Sequence, residues 1–192
     1  LNIQIVDEAQ RIYSVQLEHI ISKISSMSCV CIFSHDKKQV LSKTEKIRDA
    51  SEKIRGIKGV SSHRLSEKIR TNKEIAAFIK MLFNRGKKIP LSNNGNIEIN
   101  YFNNIKSAGA YFEVIDTSTW EILRFTPSQH DHEYHEKYSD VTKRTSHKVI
   151  GQEFENVLVT IDEFFDYDEN DELIYCGKAY YEPSKMLFQN IT

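Results

Sequence analysis

Proline and glycine are scarce, 3 and 7 in 192 residues, and tryptophan occurs once. Collagen-like repeats and Pro/Gly-rich disorder are thereby excluded. Of the three cysteines, Cys29 and Cys31 alternate on one apolar run and Cys176 lies far away, with no Cys-x-x-Cys pair. An odd count in this pattern suggests neither a disulfide framework nor a zinc knuckle, and the thiols are expected to be buried and reduced. Nowhere do 18 apolar residues run together, and Leu1-Asn2-Ile3-Gln4 has neither a basic start nor a small-residue cleavage site. No membrane span or signal peptide is expected, and a cytoplasmic location is the default. The sequence has no initiator Met and opens on a strand-like apolar run, so it is expected to be a piece of a longer polypeptide. What is present is 40% hydrophobic and 28% charged residues, the composition of a folded chain of one large or two small domains.

Charge of one sign is also missing overall, since the net charge is -1, but the balance is uneven. Residues 1 to 90 carry 18 Lys and Arg against 9 Asp and Glu, whereas residues 91 to 192 carry 8 against 18. A basic half can meet nucleic-acid phosphates, although charged helical faces are more often simply solvated.

Ile3-Gln4-Ile5-Val6 is too short and too β-branched for a helix and reads as a buried strand of a parallel sheet. Leu17, Ile20, Ile21 and Ile24 recur at helical spacing within 16 to 24, and 28 to 33 (SCVCIF) reads as a second buried strand. Strand, helix and strand imply a right-handed crossover. Ser42 to Ile57 reads as a charged helix anchored by Ile47, Ile54 and Ile57 and ended by Gly56 and Gly59. Thr71-Asn72-Lys73-Glu74 suggests a capping box, with Thr71 or Asn72 as the cap, before a helix over 75 to 83. Arg70 then lies at a helix N-terminus, where anions are favoured. After the turn-rich stretch 87 to 96 come a strand over 97 to 102, a helix over 105 to 117 and a strand over 120 to 125, a second β-α-β unit. The His-rich stretch 126 to 142 reads as an exposed loop or short helix, and Val157 to Ile161 as a strong strand.

The sharpest local signal is the strand that ends in Asp7-Glu8-Ala9-Gln10. A nucleotide hydrolase needs a strand-tip carboxylate to hold hydrated Mg²⁺ and an adjacent one to orient or deprotonate the attacking water. Asp7 and Glu8 suit those roles, but the same pair also suits a helix N-cap with favourable charge in the first turn.

The order of motifs adds to this. After Asp7-Glu8-Ala9-Gln10 come Ser34-His35-Asp36-Lys37-Lys38-Gln39, then Arg70-Thr71-Asn72-Lys73-Glu74-Ile75, then Thr145-Ser146-His147-Lys148-Val149-Ile150-Gly151-Gln152-Glu153-Phe154-Glu155-Asn156-Val157. This series resembles motifs II, III, IV and V of superfamily 1 DNA/RNA helicases, specifically the bacterial group related to the schlafen helicase domain. Phe125-Thr126-Pro127-Ser128 and the stretch Asp162 to Tyr167 add to the likeness, which extends over nearly the whole chain. It implies an α/β chain of two RecA-like lobes of the P-loop NTPase type, with parallel sheets and flanking helices. Residues 1 to 60 would be the C-terminal part of the first lobe and 61 to 192 most of the second, with ATP bound between lobes.

The resemblance also implies roles. Asp7 would ligate Mg²⁺, Glu8 would be the catalytic base and Gln10 would couple the site to the next motif. Gln39 would sense the γ-phosphate, and Arg70 would contact the nucleotide phosphates. Thr145, Ser146, His147 and Lys148 would lie near nucleic acid, while Gly151 and Glu153 would approach the nucleotide ribose or the coupling loop. ATP and Mg²⁺ are the implied cofactors, and single-stranded DNA or RNA the expected partner, with the basic region Lys37 to Lys88 available to its backbone. The bland alternatives are a surface salt bridge for Arg70 and a solvated turn for Glu153.

Two parts of such an ATPase are missing from these 192 residues. No Gly-Lys-Ser/Thr run occurs to cradle phosphates, and the segment 185 to 192 that in this family leads into a transition-state arginine does not contain it. Losing such an arginine costs about 10³ to 10⁵ in rate. The expectation is therefore a fragment of an ATP-dependent motor that needs the remainder of the same polypeptide to complete the ATP site. The alternative is a non-catalytic helicase-like module that binds nucleic acid or protein.

Two other constellations invite chemistry. His130, His132 and His135 with Asp131, Glu133 and Glu136 offer imidazole and carboxylate donors for Zn²⁺, although a polar loop is the simpler account. Asp166 to Asp171 imitates the start of an EF-hand loop but has Asp171 where glycine is needed and Gly177 at the twelfth place. An acidic hairpin turn before Leu173 to Cys176 is expected instead.

Overall fold

The computed structural model describes residues 2–27, 29–36, 40–41, 50–63, 71–92, 94–130, 132–138 and 144–192. The chain divides into two compact units, Leu1–Ser66 and Glu67–Thr192. It is mixed α/β, with small parallel sheets and helices. Among the described residues no helix is long and apolar enough to cross a membrane.

In the first unit, strand β1 (Asn2–Val6) leads through a 3-10 turn at Ala9–Arg11 into helix α1 (Ser14–Ser26), strand β2 (Cys29–Phe33) and helix α2 (Ala50–Arg55). β1 and β2 pair in parallel, Ile3 opposite Val30 and Ile5 opposite Ile32. The β-branched runs form strands as expected, but they are not buried on both faces. Ile3, Ile5, Val30 and Ile32 are 59%, 69%, 44% and 49% exposed, and Asn2 and Gln4 on the other face of β1 are exposed as well, because the core meets the strands at their carboxyl ends, Val6 and Phe33. That core is Ala9, Leu17, Ala50 and Ile54, with Val6, Ile12, Ile21, Phe33 and Ile57 packed against it. The helical spacing of Leu17 and Ile21 thus turns the apolar stripe of α1 onto the sheet. Of the long helix expected over 42 to 57, residues 42–49 lie outside the described set; Ala50–Arg55 is helical and the chain turns at Gly56.

The second unit begins with helix α3 (Lys73–Leu82), whose start is capped by Asn72 Oδ1 accepting from Ile75 N at 2.8 Å. Only half of the expected capping box forms. Asn72 as the cap makes Glu74 the second helical residue, one too early to reach back, and its carboxylate instead accepts from Asn94 N at 3.1 Å and from the Asn96 side chain. The Asn96 bond in particular holds the Glu74 carboxyl below its ordinary range. Ile97 to Phe102 is not a strand: Ile99 is 55% and Tyr101 90% exposed, and no partner strand lies alongside among the described residues. Helix α4 (Ile105–Val114) follows, capped by Asn104 Oδ1 accepting from Ser107 N at 2.9 Å.

Strand β3 (Glu121–Arg124) is the centre of a parallel three-stranded sheet, flanked by β4 (Arg144–Thr145) and β5 (Val157–Leu158). Leu123 and Arg124 pair with Arg144 and Thr145, while Glu121 and Ile122 pair with Val157 and Leu158. The second β-α-β unit expected over 97 to 125 is replaced by this arrangement, and the strand at Val157 is shorter than expected. Antiparallel β6 (Phe165–Tyr167) and β7 (Leu173–Tyr175) form the acidic hairpin, whose turn is folded around Asp168 Oδ1 accepting from Asn170 N and Glu172 N, each at 2.9 Å. Helix α5 (Pro183–Ile191) buries Met186 and Leu187 completely and sets Phe188 edge-on to Phe83 at 5.4 Å. The Phe165 ring meets Phe125 tilted at 5.9 Å and Tyr175 edge-on at 5.0 Å. Cys29 and Cys31 are half-buried and Cys176 exposed, all three with free thiols, so the expectation of buried cysteines is met in part at Cys29 and Cys31 and fails at Cys176, which follows the last hairpin residue.

Candidate functional site

The carboxyl end of β1 delivers Asp7 and Glu8 to an edge where α/β sheets bind ligands. Neither caps α1, whose first turn is closed by Tyr13 N donating to Gln16 Oε1 at 3.1 Å. Asp7 is exposed, and its Oδ1 accepts from Glu8 N at 3.0 Å. Glu8 sits in the left-handed region, φ 52° and ψ 38°, a conformation that costs a residue with a Cβ about 1–2 kcal/mol and that turns its side chain back over the 3-10 turn. Glu8 Oε2 receives Gln10 Nε2 at 2.7 Å and Arg11 Nε at 3.2 Å, which leaves Oε1 for a further donor.

Gln10 is 5% exposed, and its other amide atom, Oε1, accepts from Asp36 N at 3.1 Å. One buried amide therefore links the catalytic-base candidate to the loop after β2. Backbone bonds hold the same junction, Ala9 N to Ser34 O at 2.8 Å and Ser34 N to Val6 O at 2.9 Å. An exposed strand-tip carboxylate suits Mg²⁺, which keeps most of its waters and takes one or two protein carboxylates; Asp7 fits such a hydrated ion. Gln39 and Arg70 lie outside the described residues. Arg11, absent from the sequence expectations, is the second anchor of Glu8, and its three-residue spacing from Glu8 was the signal for it.

In the second unit, the carboxyl ends of β3 and β4 bring 125–128 beside 145–148. Thr145 and Ser146 are 4% and 0% exposed, and Ser146 N donates to Arg124 O at 2.9 Å. Their side chains support the turn, while Lys148 is exposed and His147 half-buried. His147 N donates to Thr126 Oγ1 at 3.1 Å, its Nδ1 lies 2.8 Å from the same oxygen, and its ring stands 4.5 Å from that of Tyr181. Gly151 has φ +75° with open space around it, so the tight turn rather than a close approach requires glycine there. Gln152 follows with Nε2 donating to Lys148 O at 2.8 Å, and Glu153 is exposed.

The His-rich stretch is not a plain exposed loop. Tyr134–Tyr138 is a 3-10 helix that buries His135, and Glu133 just before it is buried too. His135 Nε2 lies 2.9 Å from Glu133 Oε2, and burial holds the imidazole below its ordinary value against the pull of Glu133. Nearby, Tyr175 OH donates to Asp162 Oδ2 at 3.0 Å, and burial pushes both groups up. Among the described residues no three His, Cys, Asp or Glu side chains gather as metal ligands; His132 is instead paired with Glu136 at 3.5 Å. The burial left no periodic signal, because one of the two backbone donors to Glu133, Tyr180 N, lies 47 residues along the chain.

Comparison with curated proteins finds no match, and comparison with solved structures finds none. The family model described as Schlafen group 3, DNA/RNA helicase domain, matches residues 1–156 and so takes in both strand-edge sites; the chain belongs to that family.

Proposed function

We propose that the chain is the nucleic-acid-contacting part of an ATP-dependent motor of superfamily 1, within the bacterial group related to the schlafen helicase domain, built on RecA-like lobes. The observation that carries the reading is the Gln10 bridge, in which one buried amide binds Glu8 on one side and the loop after β2 on the other. Such a link is what a site needs if events at the phosphates are to move a neighbouring segment. Family membership adds the helicase-like setting.

In this reading Asp7 holds a hydrated Mg²⁺, which supplies charge for the phosphate oxygens. Glu8, steadied through Oε2, uses Oε1 to take a proton from the water that attacks the γ-phosphorus, while the bond from that phosphorus to the β–γ bridging oxygen breaks and ADP leaves. Gln39 and Arg70 read the phosphates, and Gly151 and Glu153 approach the ribose. His147 and Lys148 meet a single strand of DNA or RNA, on the turn shaped by Thr145 and Ser146. Lys73, Lys80, Lys87 and Lys88 of the second unit are exposed and available to phosphates.

The 192 residues contain no Gly-Lys-Ser/Thr loop, so by themselves they are expected to turn over ATP more slowly than about 1 per second. They are still expected to bind oligonucleotide. Fluorescence anisotropy with a labelled single strand tests this: Lys148→Ala should weaken binding, and equal affinity for this variant and the parent chain would contradict the assignment.

A further inference from the structure

Glu133 has a side chain with no solvent exposure, and a buried carboxylate is costly unless donors satisfy it. Each of its oxygens has a backbone donor. Oε2 accepts from Ser128 N at 3.2 Å, and Oε1 accepts from Tyr180 N. Those donors belong to segments about fifty residues apart, and each segment carries one of the groups that touch His147. Two residues before Ser128, Thr126 Oγ1 meets both His147 N and Nδ1. One residue after Tyr180, the Tyr181 ring lies 4.5 Å from the imidazole.

We propose that Glu133 is a positioning residue for His147: its carboxylate ties the turn over 126–128 to the segment over 180–181, so that Thr126 and Tyr181 hold the imidazole in one orientation for a single-stranded nucleic acid. The proposal rests on the nucleic-acid reading of His147 and Lys148. A carboxylate can serve both backbone donors because each oxygen only accepts, whereas a carboxamide has one accepting oxygen and must turn its NH₂ toward the other N–H. Glu133→Gln, nearly the same in shape, therefore releases one of the two segments.

The test uses the full chain with selectively labelled histidine and a fluorescent oligothymidylate of about 15 nucleotides, within the range of common single-strand site sizes. Glu133→Gln is expected to shift the ring resonances of His147 and to weaken oligonucleotide binding about five- to tenfold, the loss of roughly one net hydrogen bond. Should that variant fail to fold, Thr126→Val, which removes only the hydroxyl between turn and ring, is expected to do the same. Unchanged His147 resonances and unchanged affinity in the folded variant, while His147→Ala weakens binding, would overturn the proposal and leave the nucleic-acid reading standing. No effect of either His147→Ala or Lys148→Ala would overturn that reading and the proposal with it.

Discussion

Gln10 Nε2 donates to Glu8 Oε2 at 2.7 Å while Gln10 Oε1 accepts from Asp36 N at 3.1 Å, so this side chain spans the gap between the ends of two parallel strands. Replacing Gln10 by leucine, of similar volume, leaves the Asp36 N–H and the Glu8 carboxylate each short of a partner. The expected cost is about 1–3 kcal/mol, and hydrogen exchange at the Asp36 amide should quicken beyond what the global loss of stability explains. An Asp36 amide that exchanges no faster than its neighbours would show that the bridge is idle.

Arg11 is a weaker partner. The Arg11–Glu8 pair is 3.2 Å long with side chains 21% and 34% exposed, and partly solvated ion pairs contribute about 0–1 kcal/mol. Arg11→Ala should therefore change the urea midpoint little. A loss as large as that of the Gln10 variant would place Arg11 in the core of the site.

Stability should depend on pH through His135. Its folded-state value lies below the ordinary one because of burial, so its contribution is present above the unfolded imidazole value, about 6.5, and is lost as pH falls below it. Asp162 acts in the opposite sense and at lower pH: burial raises its folded value, so the fold gains from protonating it as pH falls through the carboxylate range. His135→Phe, set among Phe125 and Tyr175, should flatten the fall in urea midpoint between pH 7 and about 5.5. An unchanged slope in that window would mean that another group carries the dependence.

Gly177 is tightly enclosed. A Cβ there would stand 2.7 Å from Tyr175 Cε1 and 3.1 Å from Phe164 Cγ, and both rings are packed, Phe164 stacking on Tyr134 at 4.3 Å. Gly177→Ala should cost about 1–3 kcal/mol by overpacking and weaken the near-ultraviolet circular dichroism of the aromatic cluster. Full retention of both would show that the rings move aside freely.

The first unit was legible because its signals are local. Ile3 to Val6 and Cys29 to Phe33 are β-branched and apolar, Leu17 and Ile21 share a helical face, and the strands pair as that pattern implies. Where the reading failed, the deciding atoms lay elsewhere in the chain. Ile97 to Phe102 alternates like a strand, yet alternation supplies no ladder partner. Glu133 and His135 look solvated in sequence, but Ser128 N and, from a segment 47 residues further on, Tyr180 N make the burial possible. Glu74 was one position from completing a capping box, and that single residue sent its carboxylate to Asn94 and Asn96 instead. The strand-edge residues Asp7, Glu8 and Gln10 could be named from order and spacing, whereas the bonds through which Gln10 joins two loops could not.

The most direct test of the central claim is the affinity of the chain for a fluorescent single strand across a salt series from about 50 to 200 mM, because phosphate contacts release counterions and the slope counts them. Phosphate-contacting His147 and Lys148 should give measurable binding at low salt, a steep loss as salt rises, and a shallower slope for Lys148→Ala. Affinity that stays constant across the series, or no binding at the lowest salt, would contradict that claim.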